Sequence, residues 1–118
     1  MKPIPTEHDE AIMLVDWLDY HHIPFTKVPN ETFTKSWSVK RRNKEEGVRA
    51  GFPDYVILIP ERCALFIELK RTKRSVTRQN QLDWQKTINT IPNCEAFVCK
   101  GAEEAIATIK QFLPVKSK

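Results

Sequence analysis

A chain of 118 residues, 41% hydrophobic and 29% charged, has enough apolar matter for one compact core and no room for a second. That share excludes wholesale disorder, and no apolar run approaches the roughly 18 residues that a membrane span needs. The net charge of +4 is modest but unevenly placed, with six basic residues against two acids from Lys35 to Arg49 and five without any acid from Lys70 to Arg78. Such clusters fit a polyanionic partner, because Lys and Arg neutralise phosphates and release counterions, although solvated loops carry the same signature. The first residues, Met1-Lys-Pro-Ile-Pro5, contain no apolar signal region. The three cysteines, Cys63, Cys94 and Cys99, are odd in number and lack C-x-x-C spacing; Cys94 and Cys99 flank an apolar strand-like segment and read as packing residues, and a reduced, intracellular compartment is the simplest inference.

In chain order, Thr6 is a natural N-cap for a helix from Glu7 to about His21, whose Ala11, Leu14, Val15 and Leu18 recur at helical spacing. Pro24 ends it. The pattern then dissolves as far as Phe52, with a short strand predicted within Thr32 to Val39 and turns at Gly47 and Gly51. Asp54 to Pro60 and Cys63 to Lys70 read as the arms of a hairpin turning at Pro60-Glu61-Arg62. A helix follows from about Arg78 to Thr90, with Gln81, Trp84, Gln85 and Ile88 on one face. A strand at Glu95 to Cys99 leads to a last helix, about Glu103 to Phe112, with Ala105, Ile106, Ile109 and Phe112 turned inward. The predicted order is α-β-β-β-α-β-α: one α/β domain over residues 1–118, with a mixed sheet flanked by helices.

The chemistry concentrates at one end of the hairpin. Along Phe66-Ile-Glu-Leu-Lys70, alternation sends Glu68 and Lys70 to one face and Ile67 and Leu69 to the other. In an antiparallel pair the start of one strand lies beside the end of the next, so Asp54 and Glu68 converge at one edge. Two converging carboxylates form a hard-oxygen site suited to Mg²⁺ or Mn²⁺, which clamps a phosphate and acidifies a water. Lys70 stands ready to orient that water or offset charge in the transition state. Glu7 heads the apolar face of the first helix and is a third acid for the site, whereas Glu10 lines up with Met13, Leu14 and Trp17, toward the side. An E-x-K triplet alone is common. An Asp after Gly-Phe-Pro followed by a hydrophobic hairpin ending in E-x-K is much rarer.

Gly47-Val-Arg-Ala-Gly-Phe-Pro-Asp54, Leu65-Phe-Ile-Glu-Leu-Lys70 and Gln81-x-x-Trp84 together resemble the virus-type replication-repair nuclease (VRR-NUC) domain. The similarity is greatest to the short stand-alone members of phages and bacteria. It runs from Thr6 to Ile106. The resemblance implies a restriction-endonuclease-like PD-(D/E)XK core and Mg²⁺- or Mn²⁺-dependent phosphodiester hydrolysis, with no organic cofactor. It implies Asp54, Glu68 and Lys70 as the metal-binding and catalytic triad, with the Leu69 carbonyl as a further ligand. Glu7 matches the helix-borne acid, and Gln81 the glutamine that holds the attacking water or a phosphate oxygen. Asn30 lies where members carry a similar Pro-Asn pair. One departure is the stretch from Glu31 to Glu46, which contains no glycine.

The resemblance further implies a homodimer that cuts branched DNA in the manner of a Holliday-junction resolvase in DNA repair, in the cytoplasm of a bacterium or phage-infected host cell. Trp17, Tyr20, Phe33 and Trp37 are candidates for its apolar interface. Lys40, Arg41, Arg42, Lys44 and Arg49, with Arg71, Lys73, Arg74 and Arg78, are the candidate DNA contacts. Two alternatives stay open at this stage: a flap or single-strand nuclease of the same fold, and a nucleic-acid-binding module without catalysis. Intact acids beside phosphates argue against the latter, because without a cation they repel the ligand.

Overall fold

The β-branched hairpin is the centre of the structure. The computed structural model describes residues 6–29, 36–71 and 77–115. Two short elements and a hairpin follow the first helix: α1 (Glu7–Tyr20), β1 (Phe25–Lys27), α2 (Trp37–Glu45), β2 (Tyr55–Ile59) and β3 (Cys63–Lys70). The chain ends with α3 (Gln79–Ile88), β4 (Cys94–Lys100) and α4 (Ala102–Lys110). The sheet order is β1-β2-β3-β4, with β1 and β3 antiparallel to β2 and β4 parallel to β3. It is the predicted mixed sheet flanked by helices.

Alternation along the two central strands sorts the layers. Tyr55, Ile57 and Ile59 of β2 and Leu65, Ile67 and Leu69 of β3 are buried on one face, where they join Leu14 and Leu18 of α1 and Ala105 and Ile109 of α4. On the other face Phe66 meets Phe52, and Phe52 meets Trp84 of α3, each edge to face. The Thr6 cap forms a reciprocal capping box with Asp9, as the sequence indicates for the start of α1. The hairpin turns where Arg62 N–H donates to the Ile59 carbonyl, with Glu61 at φ 64°. Cys99 is buried, Cys63 and Cys94 are half-buried, and all three are free thiols.

Two expectations fail between Pro24 and Phe52. The strand predicted within Thr32 to Val39 is not one over its described part; Ser36 instead caps α2 through Val39 N–H, and residues 37–45 are helical. The first edge strand lies earlier, at Phe25–Lys27, so the order becomes α-β-α-β-β-α-β-α. The helix escaped notice because it has no apolar stripe: none of its residues is buried. Its signals were a polar cap and the basic residues Arg42 and Lys44 in its last turn. Asn30, Phe33 and Lys35 lie outside the described residues, as do Lys73 and Arg74.

The segment from α2 to β2 is fastened to α3. Trp84 Nε1 donates to the Ala50 carbonyl at 3.1 Å. Gly51, at φ +89°, lies so close to α3 that an added Cβ falls 2.8 Å from Asn80 Cγ and 2.9 Å from its backbone carbon. Gly51→Ala therefore combines a left-handed backbone with a backbone clash, and we expect it to lose about 2 kcal/mol or more of stability. Thermal or urea unfolding checks this; an unchanged midpoint contradicts the close approach.

Candidate active site

Register creates the site. Tyr55 pairs with Ile67 across the β2–β3 ladder, and one further step sets Asp54 opposite Glu68. Asp54 Oδ2 accepts the Leu69 backbone N–H at 3.0 Å, which ties the head of β2 to the tail of β3. Glu68 is only 7% exposed and is the buried charged residue of the described core. Lys70 Nζ stands 3.8 Å from Glu68 Oε2, on the same face of the strand. Lys70 Nζ also donates to Gln81 Oε1 at 3.2 Å, and the Arg78 backbone N–H donates to the same oxygen at 2.9 Å. Gln81 thus spends its carbonyl side on orienting Lys70, and its amide nitrogen is the side suited to donate to a phosphate or water.

Electrostatics follow from this crowding. Burial pushes the Glu68 carboxyl from 4.5 up to about 8, aided by the charge of Asp54, a hydrogen bond with it and the charge of Glu7; Lys70 opposes them. Burial beside the Asp54 charge thus favours the protonated form of Glu68. The side chains of Asp54 and Glu68 are hard-oxygen donors, which by their chemistry fit a divalent cation such as Mg²⁺ or Mn²⁺. Among the described residues, no three His, Cys, Asp or Glu side chains stand close enough to enclose a metal by themselves.

The acids of α1 are arranged differently from the sequence expectation. Glu7 is exposed, near enough to Glu68 to raise its carboxyl but not part of the contacting pair. Glu10 makes the tertiary contact: its Oε1 accepts the Ala102 N–H at the start of α4, 3.1 Å away, and its Oε2 is buried. Gly101, at φ +99°, leaves room, since a Cβ there falls 3.0 Å from Glu10 Oε1. The signal was present, because Glu10 lies four and eight residues before the wholly buried Leu14 and Leu18.

The basic residues divide. Arg71 and Arg78 are exposed, the first directly after Lys70 and the second at the N-cap of α3. Lys40, Arg41, Arg42 and Lys44 lie on exposed α2, whose end leads through residues 46–53 into Asp54. Arg49 folds back to donate to the Lys44 and Val48 carbonyls, so part of its donor capacity is spent on closing α2. Of the apolar interface candidates, Trp17 packs against the core, while Tyr20 and Trp37 are 78% and 83% exposed.

A model of the VRR-NUC domain matches residues 6–103. The chain belongs to the VRR-NUC family. Two solved structures share its fold. A VRR-NUC domain protein is 22% identical with a TM-score of 0.72, over 95% of this chain and 90% of that one. A second VRR-NUC domain is 17% identical with a TM-score of 0.64, over 90% and 96% respectively. A comparison with curated proteins gives no match. Membership assigns a nuclease role, a DNA substrate and, for the family generally, use of a divalent metal. No helix among the described residues is long and apolar enough to cross a membrane.

The raised Glu68 carboxyl has a definite sign in the metal-free protein. Below the unfolded value of 4.5 it is protonated in both states and costs nothing. Above that the unfolded chain releases the proton and the folded one keeps it, so this group's contribution declines up to about pH 8 and then levels. In EDTA, the melting temperature of wild type relative to Glu68→Gln should therefore fall between pH 5 and 8, as read by calorimetry. Parallel profiles for the two proteins contradict the arrangement.

Proposed function

We propose that this VRR-NUC protein, as one domain over residues 1–118, is a Mg²⁺- or Mn²⁺-dependent endonuclease that hydrolyses phosphodiester bonds in branched DNA, four-way junctions included. The observation that carries the reading is buried Glu68 set opposite Asp54, with Lys70 and Gln81 beside it. An ion pair at a bare hairpin end needs neither a second acid opposite the first nor a glutamine holding the lysine.

Asp54, Glu68 and the Leu69 carbonyl are the groups that hold the cation, with Glu7 acting through solvent from the end of α1. When bound, the cation neutralises phosphate charge and makes a coordinated water acidic. Lys70, kept in place by Gln81 Oε1, donates to the attacking water or to a non-bridging phosphate oxygen and offsets charge in the transition state. The Gln81 amide nitrogen donates to the same anionic group. Burial of Glu68 keeps bulk water away, which strengthens each of these interactions. Lys40, Arg41, Arg42, Lys44, Arg49, Arg71, Lys73, Arg74 and Arg78 contact the DNA backbone on either side of the cut.

Cutting a four-way junction symmetrically takes two sites, and the proposed unit is therefore a homodimer. Such DNA lies in the cytoplasm of a bacterium or phage-infected cell, where the enzyme serves repair or replication.

The test is incubation with end-labelled four-way junction, flap, duplex and single-stranded DNA in Mg²⁺, Mn²⁺ or EDTA. Paired symmetric nicks in the junction are expected, lost in EDTA. Asp54→Asn should lower the rate at least about a hundredfold, since removal of a ligand forfeits several kcal/mol of transition-state stabilisation. Wild-type cutting by Asp54→Asn overturns the site, and cutting confined to flaps or single strands overturns the junction substrate.

A further inference from the structure

Helix α2 is an unusual nine-residue element in which a tryptophan, 83% exposed, stands at the first position. No residue of the helix is buried. At 3.6 residues per turn, Trp37, Lys40, Arg41 and Lys44 fall within an arc of about 100°, at spacings of three, four and seven. The indole therefore shares its face with three cations, while Val39 and Asn43 turn away from it. Arg41 pairs with Glu45, 3.4 Å away and exposed, a contact that a phosphate readily replaces.

That combination selects the occupant. A second copy of the chain would set these cations against one another if the same faces met, and an apolar partner would strand them. A nucleic acid strand uses both components at once: phosphates for the cations and the face of a base for the indole. In a fully paired duplex the base faces are stacked internally and closed to the indole. An unpaired segment offers them.

We propose that α2 is a grip for unpaired DNA, in which Trp37 stacks on an exposed nucleobase and Lys40, Arg41 and Lys44 contact the flanking phosphates. The proposal deepens the DNA-nuclease reading and rests on it. It gives that enzyme a means of preferring branch points, where bases are unpaired, over continuous duplex. The arm sits close to the chemistry in sequence: it ends at Glu45, and residues 46–53, fastened to α3 through Ala50 and Gly51, lead to Asp54.

The experiment measures binding in EDTA, where no cleavage is expected, so that failure of the arm is separate from failure of the active site. Full-length protein is titrated with a single strand, an open four-way junction and a fully paired duplex. Trp37→Ala should weaken binding to the single strand and junction by about 5- to 100-fold, and to duplex by less than about twofold. Trp37→Phe should retain most of the affinity. The difference in tryptophan fluorescence between wild type and Trp37→Phe should show quenching by unpaired strands. Exchanging Lys40, Arg41 and Lys44 together for Ser should reduce the salt slope for single-strand binding by about 2. Equal losses on duplex and single strand would show phosphate contact without stacking and overturn the proposal. Unchanged affinity in Trp37→Ala overturns it too. So does a shift from dimer to monomer in sedimentation, which would make the face a contact between copies.

Discussion

A carboxylate pair on adjacent strands, one of its members buried, is an expensive thing to fold around, and in this protein the rest of the architecture arranges itself about that expense. Asp54 and Glu68 face each other because the β2–β3 ladder continues one step beyond its last paired residues. That register is fixed by the alternation of buried Tyr55, Ile57 and Ile59 against Leu65, Ile67 and Leu69, since a slip of one residue turns every one of these side chains out of the core. The hydrophobic face of the hairpin thus enforces a polar juxtaposition that the acids themselves resist. Lys70 gives partial relief at 3.8 Å, too little to keep Glu68 ionised near neutrality. That unmet demand for positive charge is what supports the proposed cation site.

Around this pair each layer supplies a constraint. From α3 comes Gln81, which holds Lys70, and Trp84, which anchors Ala50 and packs on Phe52 just before Asp54. From α1 comes Glu10, whose carboxylate receives the first N–H of α4 and so locks the opposite helical layer beside the end of β4. An acid at a helix N-terminus is favourable twice, through the hydrogen bond and the helix dipole. The parallel pairing of Lys70 with Lys100 ends both strands at the same level. The site is accordingly built at strand ends, where regular secondary structure delivers side chains.

How much of this could be read from the residues depended on whether local pattern or tertiary contact decided the matter. The hairpin was legible because β-branched runs flank a Pro-led turn, and antiparallel geometry alone brings Asp54 to Glu68. Gln81 was singled out by the resemblance to the family, through the Gln81-x-x-Trp84 match. By contrast β1 is three residues, Phe25-Thr-Lys27, stabilised by pairing with β2 and too short to carry a period of its own. Helix α2 has no apolar face to reveal it, and its glycine-free stretch, which departs from the family pattern, is where helix replaces the expected strand. The roles of Glu7 and Glu10 turned on a few degrees of helix orientation: both lie near the face that carries Leu14 and Leu18, and only packing against Ala102 decides between them.

The central proposal is that Glu68, buried beside Asp54, holds a proton that a divalent cation would displace. Calorimetric titration of Mn²⁺ into the full-length protein near pH 7, repeated in buffers of different ionisation enthalpy, counts the protons released on binding. The account predicts release of about one proton per ion in wild type, little or none in Glu68→Gln, and weakened binding in both Glu68→Gln and Asp54→Asn. Tight binding with no proton release, or binding indifferent to both substitutions, would contradict it.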